Sequence, residues 1–588
     1  MIAERGTEAW LRRLDWTRKK RILFLAALFL LGLGLRAYHL DRSGLSEDET
    51  HKLFAVRSYD HGDFAVNAEH PMLMKMLCFA SLHSAAFWNG SAGRALDLNL
   101  SEETALRLPN AIFGALTVIP LCLLAEALFG FRVAAITASL WASGLNAVWF
   151  NRTAKEDTLM VFFMLLGYYL YTLAKSQAPE EADRQARLYG LGGAAFGLMV
   201  ASKYFPHYIG LNALFFHLVG RDSRNNRPLT ARFLKWYFAG MALAFSIFNF
   251  GIFMPATWRY LWKYLKEDLQ THHGYLIMGK LFFNDMTQTP GGNPWYFYGL
   301  YLLVKLPLPV LAAFIVGLIE IFRRRRTDYT SRGYLFLRMQ LIFWLLPMSI
   351  IGAKFLRYSL ALIPLVYMTA AVGTVLILRR ARSVIERLAK WKPHASGMEW
   401  ERAGHRARLS HRTRWLTSPM LTALSVGVIF VGLPAATSLA SLPFPSLYTN
   451  PMGGRRAGYF FPHDEFYDLG ARESVAYIAA NAPKGTMVAS EAPGVLQYYL
   501  ARYGRADVTS EIISHPAFSL DHSGPDFVLV QPGRSFFETR EVFAVVESEW
   551  TLAQSSTYRG VMASSVYVRT AEGSETGCRT PADEKADR

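Results

Sequence analysis

Apolar residues in this chain fall in long blocks, without the alternation of a half-buried strand or the one-sided spacing of a soluble amphipathic helix. The first block covers about 22–40 and carries no charge except Arg36 near its end. Others follow at about 108–128, 133–150, 159–175, 188–202, 206–220, 236–254, 296–320, 334–351, 356–378 and 416–440. A helix needs about 20 such residues to cross a bilayer. The pattern therefore predicts a polytopic α-helical membrane protein with about eleven transmembrane helices.

Between the blocks, polar stretches differ in sign. The first block follows "TRKKR" (17–21), and with that end cytoplasmic, alternation puts "RDSRNNRPLTARFLK" (221–235), "RRRRTDYTSR" (323–332) and the basic stretch 379–414 on the inside. These are the loops richest in Lys and Arg, as the positive-inside rule requires. A signal peptide would also start basic and then turn apolar, but "GLRAYHLDR" offers no small-residue cleavage site. The same alternation leaves outside the loops 41–107, 151–158 and 255–295, together with everything after about 441. There the pattern changes. Helix-like "EFYDLGARESVAYIAANAPKG" alternates with strand-like "TMVAS" and "DFVLVQP", which predicts a small soluble α/β domain over 441–571. Residues 572–588 read as a disordered tail.

Composition changes this picture little. The net charge of +17 would suit a nucleic-acid partner, but it sits in the inner loops and is explained by topology. Three cysteines are too few for a disulfide framework.

The unusual polar residues collect at the outer surface. "GLSEDETHKL" (44–53) places Glu47, Asp48 and Glu49 just beyond the first span. "NAEHPMLMKML" (67–77) adds Glu69, His70 and Lys75 in the same loop, and "NRTAKEDTLM" (151–160) adds Arg152, Lys155, Glu156 and Asp157 in a tight turn. "GAKFLRYSLALIPL" (352–365) brings Lys354, Arg357 and Tyr358 to the outer end of the tenth span. An ion pathway would put charge near mid-membrane instead. Carboxylates at this depth can act as general base or metal ligand, and Lys and Arg can hold the phosphate of a lipid. Each residue also has a plainer reading. Ser46 and Glu49 have capping-box spacing, and Lys75 can snorkel from a short apolar helix. Asp157 can pair with Arg152 or Lys155 as a turn, and Arg357 can anchor at the interface. Trp295, Tyr296, Phe297 and Tyr298 read as an interfacial aromatic belt.

Taken in order, "EDE", "HPMLMK", "RLP" (107–109), the Arg and Asp after the third span and "KFLRYSLALIPL" resemble the protein O-mannosyltransferase superfamily. This is a group of GT-C-fold membrane glycosyltransferases that includes the lipid A aminoarabinose transferases. The resemblance covers roughly 20–380, so that 1–440 would be the transmembrane glycosyltransferase domain. It implies an inverting transfer of a sugar from a polyprenyl-phosphate donor to an acceptor hydroxyl outside the cytoplasmic membrane. By position, Asp48 matches the candidate base with Glu49 beside it, and Lys75, Arg357 and Tyr358 match donor-phosphate positions. Asp157 matches the second acidic position. Met72 stands where many relatives carry a second proline, and the tail does not resemble the lectin-like module of the eukaryotic protein mannosyltransferases, so the acceptor, whether lipid, glycan or protein, stays open. Glu69, His70, Arg152, His272 and His273 are further candidates for substrate or metal contact. A divalent metal could bridge phosphate and carboxylates, although no tight ligand spacing demands one. The alternative function is a flippase or assembly factor for lipid-linked sugars. The expected location is the cytoplasmic (inner) membrane with the C-terminal domain outside, as no retention signal ends the chain.

Overall fold

The computed structural model describes residues 17–219, 230–267, 274–323, 330–390, 424–521 and 524–569. His272, His273 and the expected tail 572–588 lie outside the described residues. The chain divides into two compact units. The first comprises 1–43 and 48–465, and the second comprises Gly44–Glu47 and 466–588. Residues 441–465, expected with the soluble domain, thus fall in the first unit.

The first unit is helical. Helix α1 (Arg18–Ala37) opens with four basic residues and is capped by Thr17, whose hydroxyl accepts from the Lys20 amide. Two helices then occupy the expected outer loop: α2 (Glu47–Tyr59, its first residue counted with the second unit) and α3 (Met72–Gly90). Helix α4 (Glu102–Leu116) runs on after a break at Thr117 into Val118–Phe129, and α5 (Glu156–Lys175) begins at the turn holding Lys155. Among the described residues, five helices are long and apolar enough to cross a membrane: Glu102–Phe129, Glu156–Lys175, Arg332–Ile350, Ile363–Val384 and Leu424–Ser441. Two of the other expected runs are broken. The run 133–150 divides at Gly144, where an added Cβ would lie 2.3 Å from the Leu140 carbonyl and from the Tyr367 hydroxyl. The run 296–320 divides into Phe297–Lys305 and Leu308–Arg323, around a proline at 307 that cannot donate to the helix ladder.

Helices α6 (Ala182–Ser202) and α7 (Ala231–Phe248) pack closely through glycines spaced four apart. A Cβ on Gly193 would come within 1.9 Å of the Tyr237 carbonyl, and one on Gly197 within 2.3 Å of that of Met241. Lipid tails give helices no hydrophobic reason to associate, so close backbone approach through small residues serves instead. After α7 come an amphipathic helix, Pro255–Glu267, and a two-stranded hairpin of β1 (Tyr275–Ile277) and β2 (Lys280–Phe282). The expected aromatic belt at 295–298 is only partly one. Trp295 is exposed, whereas Phe297 and Tyr298 are buried, because the helix they open turns that face into the core.

The second unit holds a five-stranded mixed sheet in the order β4-β3-β5-β7-β6. Its strands are β3 (Met487–Ser490), β4 (Thr509–Glu511), β5 (Phe527–Val530), β6 (Thr551–Tyr558) and β7 (Val561–Val568). Strand β3 pairs in parallel with β4 and β5, and β5 is buried along its whole length, as a central strand covered on both faces must be. Arg559 and Gly560 both take positive φ, which gives the β6–β7 hairpin its tight two-residue turn. Within this unit the Arg534 guanidinium joins Asp468 at 2.6 Å and Glu47 at 2.7 Å.

Candidate active site

The site starts from the first turn of α2. Residues four apart share a helix face, so Asp48 and Lys52 project the same way. Asp48 forms an ion pair with Lys155 and a second, at 3.4 Å, with Arg357, while its side chain stays 31% exposed. Lys52 forms a buried ion pair with Glu156, on the first turn of α5. Sequence distance hides this convergence, since α2, the turn before α5 and the 3-10 turn Leu356–Ala361 each contribute.

His70, just ahead of α3, is the neutral member of the group. Burial, helped by the charges of Lys52 and Lys155, pushes its pKa down to about 3 against the opposing pull of Glu156 and Asp48. Burial likewise lowers Lys155 to about 8, although Asp48 favours its charged form. Lys52 moves the other way, since Glu156 outweighs the cost of burial. At neutral pH the cluster therefore holds the cations Lys52, Lys155 and Arg357 against the carboxylates Asp48 and Glu156. It carries surplus positive charge around one accessible carboxylate.

The other expected site residues are placed differently. Glu49 is fully buried and faces Arg107, whose Nε reaches Oε1 at 2.7 Å and whose second nitrogen reaches Oε2 at 2.6 Å. Glu49 also accepts from the Ala154 amide at 2.9 Å. Arg107 donates in turn to the carbonyls of Leu40 and Ser43, so this pair rivets the loop that precedes α2. Lys75 is buried and donates to the carbonyls of Asn67 at 2.5 Å and His70 at 2.9 Å, holding the turn before α3. Burial and the nearby Lys52 charge lower its pKa to about 7. Glu69 accepts from the Asn67 side chain in that same turn. Arg152 donates to the carbonyls of Leu35, Arg36 and His39, which closes the end of α1.

Asp157 pairs with Lys203 at 2.7 Å, and so with neither of the turn cations suggested by its sequence neighbourhood. Its other oxygen is buried with no hydrogen-bond partner among the described residues. The Lys203 ammonium lies 4.6 Å from the centre of the Tyr358 ring and 4.7 Å from that of Phe205. Arg357 stacks at 4.3 Å over Phe355. Tyr358 thus links the Asp157–Lys203 pair to the Arg357 turn.

No group of three or more His, Cys, Asp or Glu side chains among the described residues is arranged to hold a metal ion. Asp48 and Glu156 are each already matched to a lysine, and a divalent cation there would face three positive groups. These residues do not fit a metal site.

Residues 92–253 match the family model described as dolichyl-phosphate-mannose-protein mannosyltransferase. No curated protein matches the sequence. In structure the chain is similar to ArnT from Cupriavidus metallidurans in the apo state, with a TM-score of 0.50 and 14% identity over 93% of this chain and 97% of that one. The chain has the GT-C fold. ArnT bound to undecaprenyl phosphate gives a TM-score of 0.49 at 14% identity over 95% and 99% of the two chains. The Archaeoglobus fulgidus oligosaccharyltransferase in its apo form gives 0.47 at 12% identity over 88% and 70%. With this GT-C fold and its apolar helices, the chain is a multi-pass membrane protein. The matched segment contains Arg107, the 151–157 turn and Lys203, while Asp48, Lys52, His70 and Arg357 come from either side of it.

Proposed function

We propose that this protein is an inverting glycosyltransferase that moves a sugar from a polyprenyl-phosphate donor to an acceptor hydroxyl at the outer face of the cytoplasmic membrane. One observation carries the reading: Asp48 is a half-open carboxylate held by Lys155 and Arg357, two cations that can also hold a phosphate. Guanidinium groups bind phosphate oxygens in a bidentate fork, and an ammonium adds a point charge. Arrival of the donor phosphate draws these cations from Asp48. A carboxylate that loses its counter-charge becomes a stronger base, so donor binding itself activates it.

Asp48 then takes the proton of the acceptor hydroxyl as that oxygen bonds to the anomeric carbon. The bond from that carbon to the phosphate oxygen breaks, and the anomeric configuration inverts. Lys155 and Arg357 receive the charge that develops on the leaving lipid phosphate. Lys52 and Glu156 neutralise each other and hold α2 against α5, which fixes Asp48 at the acceptor side. Lys75 acts at one remove by keeping the 67–70 turn, and with it His70, in place. Glu49 has no reacting role in this scheme. The orientation follows the basic loops, with the N-terminal end inside and the α/β unit outside, and about eleven spans. Lipids, glycans and proteins all offer a suitable acceptor hydroxyl.

The experiment is transfer of radiolabelled sugar from a panel of polyprenyl-phosphate sugars by wild type and Asp48→Asn in detergent, with thermal melting as the folding control. A general base is worth about 10²–10⁴-fold, so Asp48→Asn should lose at least about 10²-fold of turnover and melt like wild type. Equal transfer by both proteins would remove Asp48 from the mechanism. A wild type that exchanges lipid-linked sugar between leaflets and transfers none would replace the enzyme with a flippase.

A further inference from the structure

Arg357 sits on a stretch with little regular structure of its own. Residues 352–355 are irregular, and only the 3-10 turn Leu356–Ala361 follows. A cation on such a stretch needs outside fasteners, and three of them reach the backbone of 354–356. Asn284 Oδ1 accepts from the Lys354 amide at 2.7 Å, and the Tyr298 hydroxyl donates to the Phe355 carbonyl at 3.1 Å. Asp464 Oδ2 accepts from the Leu356 amide at 3.0 Å. The same Asp464 oxygen accepts from the hydroxyl of Tyr275 on β1.

Asp464 is buried and arrives from the short helix Pro462–Phe466, 108 residues beyond Leu356. Burial raises its pKa, while Tyr275, the Leu356 amide and the charge of Arg357 pull it down. The rings nearby complete the seat. Phe355, on which the Arg357 guanidinium rests, packs 6.3 Å from Tyr275 and 5.7 Å from His463 between ring centres. The residue before Arg357 and the ring beneath it are therefore both fixed by Asp464 and its neighbours.

We infer that Asp464, together with Tyr275, is a positioning residue for Arg357. It sets the guanidinium where it can share Asp48 and meet a lipid phosphate, which rests on the proposed role of Arg357 in holding that phosphate. Asp464 itself touches no reacting group. A displacement of about 1 Å in a positioned group can cost about 10²-fold in rate, so the seat matters as much as the cation. A carboxylate suits this role because one oxygen accepts two donors and its charge attracts Arg357. An asparagine would retain the acceptor and lose the charge.

The test uses the full-length protein and four variants: Asp464→Asn, Tyr275→Phe, Arg357→Ala and the double Asp464→Asn/Arg357→Ala. Two quantities are read on each: binding of polyprenyl phosphate without sugar, and hydrogen exchange of the amides of 353–358. Asp464→Asn should weaken lipid-phosphate binding about tenfold and Tyr275→Phe about threefold, as expected for loss of orientation around an intact cation. Both should exchange faster at 353–358 and melt near the wild-type temperature. The double variant should bind no more weakly than Arg357→Ala alone, since a positioning residue acts only through the group it positions. Unchanged exchange and binding in folded Asp464→Asn and Tyr275→Phe would overturn the inference, and so would additive losses in the double variant. If Asp464→Asn fails to fold, Tyr275→Phe, which removes one hydroxyl, decides alone on the same two readouts. If Arg357→Ala binds lipid phosphate as wild type does, the phosphate role of Arg357 falls. The seat is then judged by exchange: faster exchange supports it, and unchanged exchange overturns it.

Discussion

Asp48 and Glu49 are adjacent, carry the same charge and meet opposite surroundings. Successive residues on a helix diverge by about 100°, so α2 points one carboxylate to the opening and the next into the core. Glu49 is fully enclosed, with both oxygens matched by one arginine and a backbone amide besides. Asp48 keeps 31% of its side chain exposed and shares two cations that a phosphate can claim. A satisfied pair builds structure, and a contested one is available for chemistry. The same contrast separates Lys75, whose partners are backbone carbonyls, from Lys155, whose partner is Asp48.

Removing the cation should have its largest effect on the enclosed side of this contrast. Arg107→Ala strands the Glu49 carboxylate in the interior, which costs about 3–5 kcal/mol. A steep fall in melting temperature and in yield of folded protein is expected, and a wild-type melting curve would dissolve the distinction. On the open side, Arg357→Lys keeps the charge and loses the planar fork. Donor KM should rise about tenfold and kcat should fall with it, measured by initial rates over a donor series. Wild-type KM and kcat would take Arg357 out of both donor binding and the leaving-group step.

The smallest effect is the pH response. Lys155 titrates near 8, below its ordinary 10.5, because burial disfavours its charge. It is charged below that pH and neutral above it, and the donor phosphodiester stays anionic throughout. Donor KM should therefore climb as pH rises through about 8. A flat KM between pH 7 and 9 would take Lys155 out of donor binding.

The membrane-crossing character of the chain was legible because bilayer thickness writes itself into apolar block length. The breaks were less so. Gly144 and the proline at 307 interrupt runs that look continuous by hydropathy alone. In the site, the acidic cluster stood out by its place beyond the first span. Lys52 could have been found from its spacing to Asp48 once 47–59 was read as a helix. Lys155 and Glu156 were visible as turn residues, but their partners lie 107 and 104 residues away, a distance no local pattern encodes. Asp464 and Lys203 were invisible for the same reason, since each matters through long-range contacts.

The most direct test sets Asp48→Asn beside Glu49→Gln and measures sugar transfer per folded molecule together with thermal melting. Asp48→Asn should melt like wild type and lose at least about 10²-fold of turnover. Glu49→Gln should melt far lower, yet its folded fraction should turn over within about threefold of wild type, because a structural pair acts on stability before rate. A stable, inactive Glu49→Gln with an active Asp48→Asn would contradict the account and exchange the roles of the two carboxylates.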